Sequence, residues 1–189
     1  MLSISDLQPG TFIVFRSEPN QITWVEHSKL GRGGAILRSK IKNLLTGATV
    51  DYTFKGNEKV EQADIARSRA QFTYKDNENY NFMNMQSFEQ FSLPRAQVGR
   101  GGSFLKEGVE VDVLNWNGKP ININPPIKVE LEVKDTEPAI RGNTAQGSVM
   151  KPAILETGTK IQVPIFVKVG DMIRVNTETG EYVERVNKN

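Results

Sequence analysis

The feature that most constrains the fold is an alternation of apolar and polar residues at a period of two. Val109–Val113 shows it clearly, because valines alternate there with acidic residues, the pattern of a half-buried strand. Asn117–Gly118 then forms a strong two-residue hairpin signal. Turn residues recur about every ten positions, and no convincing amphipathic helix interrupts them. The sequence therefore predicts an all-β protein, with strand spacings typical of small barrels or sandwiches.

The chain of 189 residues divides most simply into three β units of similar length. A polar break at Lys55–Lys59 precedes the first boundary, and the segment Pro120–Pro126 closes the second unit. The predicted domains are therefore residues 1–63, 64–127 and 128–189. Units of this size lie near the lower limit for independent stability, so we expect them to pack on one another.

Composition excludes several kinds of function. The chain has no cysteine and a single histidine, His27, so disulfides, thiolate sites and histidine metal clusters are excluded. No apolar run approaches the roughly 18–20 residues that span a bilayer, and no signal peptide begins the sequence. These features predict a cytoplasmic, soluble protein that does not act at a membrane and has no metal or cofactor.

A short glycine-rich segment lies between two strand-like runs, Ile22–Val25 and Ala35–Lys42. This pattern is typical of a hairpin loop, in which glycine permits positive φ and close approach by another molecule. The loop places Arg32 at the tip, where the arginine is either a working residue or simply solvated. The tip-loop residues are Lys29, Gly31, Gly33 and Gly34.

The strand that follows the loop is strongly basic. From Lys29 to Lys42 there are five basic residues and no acid, and the whole net charge of +2 arises in the first third of the chain. If Ala35, Leu37 and Ile41 point inward, the alternation groups other side chains on the outer face. Those grouped side chains are Arg38, Lys40 and Lys42. Without a carboxylate on that strand, the pattern favours a polyanion such as RNA over a merely solvated face.

Catalytic chemistry is harder to assemble from this sequence. His27 has no accompanying nucleophile motif, and Gly31–Gly34 lacks the Gly-Lys-Ser/Thr ending and the helix of a P-loop. Carboxylates are scattered among lysines along strands. The sequence predicts a protein that is not an enzyme, although an acid–base pair formed only in the folded chain remains an alternative.

Motifs in the last third carry a family resemblance. Their positions are Lys151–Ala153, Gly158, Ile161, Val163–Pro164, Val167 and Gly170, and other matching pieces are Lys40–Leu44, Thr136–Pro138 and Gly180–Val183. With these motifs the chain resembles bacterial elongation factor P over essentially its whole length. The resemblance implies three small β-barrels in an L shape, with a KOW-type N-terminal barrel followed by two OB-fold barrels.

The resemblance also implies a function on the ribosome. Such factors bind beside the peptidyl-tRNA, contact rRNA of both subunits and promote peptide-bond formation at consecutive prolines. In this chain Arg32 corresponds to the tip residue that lies near the peptidyl-transferase centre. Further RNA contacts are predicted at Arg141, Gly142, Asn143, Thr144, Tyr182 and Arg185. The factor is expected to act as a monomer.

The tip departs from the family pattern. Many relatives carry Pro-Gly-Lys, whereas this chain has Leu30-Gly31-Arg32, and a lysine-directed modification cannot act on a guanidinium. Some arginine-tipped relatives are rhamnosylated, which implies a glycosyltransferase as a further partner for Arg32; an unmodified tip is the alternative. The competing function is a general RNA-binding or ribosomal structural module that uses the same basic hairpin.

Overall fold

The computed structural model describes residues 1–30, 34–138 and 150–186, and only the backbone of Lys29, Leu30 and Gly34. Within these residues the regular structure is almost entirely β, in three antiparallel sheets. The longest α-helical segment among them, α1, covers only Arg95–Val98. The all-β prediction is therefore confirmed.

The first sheet has six strands in the order β1-β6-β2-β3-β4-β5. Their bounds are Leu2–Ser3 (β1), Phe12–Phe15 (β2), Glu18–Leu30 (β3), Gly34–Asn43 (β4), Thr49–Lys55 (β5) and Lys59–Gln62 (β6). The sheet curls around a buried apolar cluster that includes Ile13, Ile22, Leu37, Ile41 and Phe54.

The second sheet has five strands in the order β11-β10-β7-β8-β9. Their bounds are Ile65–Lys75 (β7), Asn79–Asn84 (β8), Gln90–Pro94 (β9), Glu110–Trp116 (β10) and Lys119–Asn124 (β11). The helical segment Arg95–Val98 and a 3-10 helix at Arg100–Phe104 connect β9 to β10. The Asn117–Gly118 turn joins β10 to β11 with positive φ at both positions, as the sequence predicted for a tight hairpin.

The third sheet also has five strands, in the order β14-β13-β12-β15-β16. Their bounds are Lys128–Thr136 (β12), Met150–Leu155 (β13), Lys160–Pro164 (β14), Met172–Asn176 (β15) and Tyr182–Val186 (β16). In both five-stranded sheets the first strand is central, the next two strands continue on one side, and the last two lie on the other. This shared order is that of an OB fold.

A buried contact joins the first sheet to the second. Leu44, just after β4, packs with Leu114 and Ile121 of the second sheet, and all three are almost fully buried. The Leu44 carbonyl accepts hydrogen bonds from the side-chain amides of Gln97 (3.2 Å) and Asn122 (3.1 Å). Because these amides are themselves buried and satisfied, the contact has a defined geometry as well as an apolar core.

Truncating Leu44 should therefore destabilise the chain. We expect Leu44→Ala to lower the free energy of unfolding by about 2–5 kcal/mol, since it opens a cavity in a buried cluster. Urea denaturation followed by the fluorescence of Trp116, which packs on the same cluster, measures the change. The control Val50→Ala, at a 40% exposed side chain, should change stability by about 0.5 kcal/mol at most. An equally small loss for Leu44→Ala would contradict a buried interface.

The second sheet joins the third through the 3-10 helix. Phe104 leaves its own unit and is buried in the apolar cluster of the third sheet. The Thr159 hydroxyl donates to the Ser103 carbonyl (2.6 Å), and the Arg100 guanidinium donates to the Thr179 carbonyl (2.6 Å). The ammonium of Lys106 lies 2.9 Å from the Glu156 carboxylate. These contacts confirm the expectation that the units pack on one another.

Glu156 should make stability depend on pH. Burial raises the pKa of its carboxyl, but hydrogen bonds from the Glu132 N–H and Lys106, with the lysine charges, outweigh that effect and leave the pKa below 4.5. The stabilisation that ionised Glu156 provides is fully present above the pKa that this carboxyl has in the unfolded chain. It is lost as pH falls through the lower pKa that the carboxyl has in the folded protein. Between about pH 6 and about pH 3, Tm should fall less in Glu156→Gln than in the wild type, while the exposed neighbour control Glu107→Gln follows the wild type. Parallel curves for all three proteins would contradict the role of Glu156.

Candidate nucleic-acid interface

The hairpin of β3 and β4 is the longest strand pair of the first sheet. Pairing of β3 with β2 covers only Glu18–Gln21, whereas pairing with β4 continues to Leu30 and Gly34. The β3–β4 hairpin, called the arm below, therefore extends well beyond β2 on one side, whereas on the other side β5 pairs with β4 as far as Ile36. The tip residues Gly31, Arg32 and Gly33 lie outside the described residues, as do the side chains of Lys29 and Leu30.

The alternation predicted for β4 is present. Leu37 and Ile41 are fully buried, and the buried Ser39 hydroxyl donates to the Tyr52 carbonyl at 2.8 Å. Arg38 and Lys40 are exposed on the opposite face, and Lys42 is partly exposed. Ala35 is exposed rather than inward-packed, because it lies where the arm has passed the core.

Neighbouring strands add charge to this face of β4. Glu26 is opposite Arg38, Asp51 is opposite Lys40, and Lys55 is opposite Ile36. We call this surface the basic face; its charged side chains are Glu26, Arg38, Lys40, Lys42, Asp51 and Lys55. With four cations and two carboxylates its net charge is +2, so the absence of acids along β4 does not extend to the whole face.

Ion pairing distinguishes the cations of the basic face. Arg38 lies 3.4 Å from the Glu26 carboxylate, and both side chains are at least half exposed. Such a surface pair contributes little stability, so a phosphate can displace Glu26. Lys40 and Lys42 form no ion pair with any described residue. These two lysines are therefore the cations of β4 that are most available to a polyanion.

Trp24 is a residue of this surface that the sequence analysis missed. Its side chain is 44% exposed, and it lies opposite Lys40, whereas Ile22 lies opposite Ile41. Three residues of β3 therefore face two of β4, which defines a β-bulge. An unbroken alternation would have placed Trp24 inward with Ile22, and no turn residue in the sequence marks the bulge.

A second cluster lies on the third sheet and contains two of the predicted RNA contacts. Tyr182 packs edge-on against Phe166, with ring centroids 6.4 Å apart. The Arg185 guanidinium lies 5.8 Å from the Phe166 ring centroid and 3.8 Å from the Asp171 carboxylate. Burial raises the pKa of Tyr182, so its phenol stays protonated and can donate a hydrogen bond. The 52% exposed Phe166 was not predicted from the sequence.

The remaining predicted contacts, Arg141, Gly142, Asn143 and Thr144, lie outside the described residues. The structure therefore brings together Arg38, Lys40 and Lys42 on one surface, and Tyr182 with Arg185 on another.

A cleft of about 860 Å³ lies where the first and second sheets meet Thr177 and Glu178, which follow β15. Its charged lining side chains are Lys42, Arg69, Arg100, Glu110, Asp112 and Glu178. Three cations and three carboxylates balance one another there, and Arg69 lies 3.9 Å from Glu110. The cleft therefore has no charge preference for a polyanion, in contrast to the basic face.

Two further kinds of site are absent from residues 1–30, 34–138 and 150–186. Those residues contain no group of three or more histidine or acidic side chains placed to hold a metal ion. In the same ranges, no helix has the length and apolar character needed to cross a membrane.

The strand orders define the class of protein. It is a multidomain β protein in which a curled N-terminal sheet is followed along the chain by two OB-type sheets. Family models agree along the chain. The elongation factor P KOW-like domain matches residues 3–60, the elongation factor P OB domain matches 65–123, and the elongation factor P C-terminal domain matches 129–185.

Relatives extend this result to the full length. Elongation factor P of Aquifex aeolicus is 45% identical over 98% of this chain and 96% of its own length. The Symbiobacterium thermophilum protein is 46% identical over 98% of this chain and all of its own. A solved structure titled eukaryotic translation initiation factor 5A from Methanococcus jannaschii has 21% identity and a TM-score of 0.48, covering 66% of this chain and 93% of that one.

The chain therefore belongs to the elongation factor P family. It is a translation elongation factor, and the family is associated with the ribosome. The fold predicted from the resemblance, a KOW-like N-terminal unit followed by OB units, is confirmed.

Proposed function

We propose that this factor binds the ribosome beside the peptidyl-tRNA and promotes peptide-bond formation at consecutive prolines. The single observation that carries the proposal is the β3–β4 arm, whose strand pairing continues to Leu30 and Gly34, the two residues that flank the segment containing Arg32. Family membership supports the ribosome as the partner, through rRNA of both subunits. The factor acts in the cytoplasm as a monomer built of domains 1–63, 64–127 and 128–189.

The chemistry belongs to the ribosome, and the factor contributes orientation. Proline is a constrained nucleophile, and short prolyl chains hold the ester poorly for attack. Ordering the acceptor end of the peptidyl-tRNA aligns the ester with the attacking proline. Such alignment can lower the activation barrier of peptide-bond formation by several kcal/mol. Arg32 stays protonated and so is no base; it donates hydrogen bonds to RNA phosphate or a 2′-hydroxyl.

The basic face holds the arm against RNA in this proposal. Lys40 and Lys42 contact phosphates, and Arg38 exchanges Glu26 for phosphate as the factor binds. Tyr182 and Arg185 make a second contact through the third sheet, together with the loop residues Arg141, Gly142, Asn143 and Thr144. Two separated contacts on one connected molecule raise the affinity for a ribosome that presents both partners.

A reconstituted translation system tests the function directly. Native protein should restore full-length product from a reporter with three consecutive prolines and leave a three-alanine reporter unchanged. The alternative, a general RNA-binding or ribosomal structural module, is supported by the basic face. It predicts ribosome binding with no change in either reporter.

Arg32→Ala should abolish the rescue of the proline reporter. The substitution removes the guanidinium and leaves every described contact in place, so the thermal unfolding of the variant should match that of the wild type. The matched control is Arg67→Ala, which changes an exposed arginine of β7 and should rescue fully. Full rescue by Arg32→Ala would overturn the assignment of the tip.

The same assay addresses modification of Arg32 by a glycosyltransferase. A rhamnosylated tip requires a mass increase in native protein that recombinant protein lacks, and rescue by the native form alone. An unshifted intact mass establishes the unmodified tip instead. A mass increase that persists in Arg32→Ala would indicate Lys29 as the modified residue instead.

The double variant Lys40→Gln/Lys42→Gln should weaken ribosome binding and reduce its salt dependence. Each lost phosphate contact reduces the slope of log K against log salt concentration by about 0.7–0.9. Filter binding over a series of salt concentrations measures the slope. The matched control Lys119→Gln/Lys128→Gln changes two exposed lysines away from this face, and its slope should stay at the wild-type value. An unchanged slope for the first pair would show that those lysines are only solvated.

A further inference from the structure

Trp24 is a large aromatic side chain held on a charged surface. It is 44% exposed, although tryptophan is among the residues that gain most from burial. The bulge in β3 is what places it there, because the pairing of β3 with β4 is regular on either side of Thr23. A local irregularity of this kind often re-aims a side chain next to a functional site.

The bulge is held by specific contacts. The Thr23 hydroxyl donates to the Lys40 carbonyl at 3.1 Å, which connects the extra residue of β3 to the facing strand. Ile22 is fully buried before the bulge, and Val25 packs against the same apolar cluster after it. With Ile22 and Val25 anchored in the core, the backbone between them directs Trp24 to the basic face.

The neighbours of Trp24 indicate what it binds. Lys40 lies directly across the strand pair, and Arg38 and Lys42 occupy the positions two residues to either side. The indole is therefore flanked by cations along β4 instead of by the apolar side chains that surround a protein–protein anchor. An aromatic ring among cations is the arrangement by which proteins bind single-stranded nucleic acid, because the cations hold phosphates while the ring stacks on a base.

We propose that Trp24 stacks on an unpaired base of the RNA whose phosphates contact Lys40 and Lys42. This inference rests on the proposed RNA-binding role of the basic face and adds a specificity to it. Phosphate contacts alone do not distinguish paired from unpaired RNA. Stacking requires a base whose face is free, so Trp24 selects unpaired nucleotides.

The test uses the full-length protein and a twelve-nucleotide oligoadenylate carrying a fluorescent label. Trp24→Leu should weaken binding by about 5- to 100-fold, since it removes one base-stacking contact. Trp24→Phe, which keeps a ring, should recover most of the affinity. The salt slope of Trp24→Leu should equal that of the wild type, because no phosphate contact is lost, whereas Lys40→Gln should lower the slope. A duplex of the same length should bind equally to the wild type and Trp24→Leu.

The fluorescence of Trp24 tests base stacking independently of the measured affinity. The chain has two tryptophans, so Trp116→Phe leaves Trp24 as the sole indole, and its fluorescence should be quenched by the oligoadenylate.

Three results would overturn the proposal: no binding of the oligoadenylate by the wild type, equal affinity of Trp24→Leu and the wild type, or equal losses in Trp24→Leu and Trp24→Phe. Weaker ribosome attachment of Trp24→Leu with unchanged oligoadenylate affinity would also overturn it and assign the indole to a protein partner. Rescue of the proline reporter is measured separately, so failure here leaves the role of Arg32 open to its own test.

Discussion

The pairing of β3 with β4 is the interaction on which the rest of this structure depends. Its register sets which side chains are buried and which form the basic face, and its length carries the arm beyond β2. A shift of one residue would exchange the two faces and bury cations in place of Leu37 and Ile41. The cost of burying unpaired charge makes that exchange prohibitive, so the apolar core of the first sheet also fixes the position of the basic face.

The arm can hold its tip in a defined position only if the base of the hairpin is fixed to the rest of the chain. The Leu44 carbonyl, at the end of β4, accepts two buried amide hydrogen bonds from the second sheet. Gly47 supports the same contact with φ of +76°, and a Cβ there would lie 2.7 Å from the Ala96 carbonyl oxygen. Phe104 performs the equivalent role between the second and third sheets. The chain therefore behaves as a connected series of sheets in which the arm and the Tyr182–Arg185 cluster are held by the same framework.

Much of the fold could be predicted from sequence because its signals are local. Alternation at a period of two, regular turns and the Asn117–Gly118 hairpin indicated antiparallel β units, and the motifs of the last third indicated the family. The outward placement of Arg38 and Lys40 followed from the same alternation.

What the sequence could not predict depends on contacts between distant residues. The ion pair of Glu26 with Arg38, and the position of Asp51 opposite Lys40, follow only from the strand register. The outward turn of Trp24 requires a bulge that no glycine or proline marks, because a threonine hydroxyl holds it. By its position in the sequence Phe104 belongs to the second unit, but its side chain is buried in the apolar cluster of the third sheet. At the candidate site, therefore, the cations were predictable, whereas their counter-charges and the neighbouring aromatic ring were not.

Site-directed crosslinking can test whether the arm brings its tip to the acceptor end of the peptidyl-tRNA, as we propose. The chain contains no cysteine, so Leu30→Cys provides a single thiol beside Arg32 for a photoreactive group. Lys119→Cys provides a control at an exposed position of the second sheet. On ribosomes stalled at consecutive prolines, we expect a crosslink from position 30 to the 3′ end of the peptidyl-tRNA and none from position 119. Crosslinks from position 30 that reach only other parts of the ribosome would contradict it.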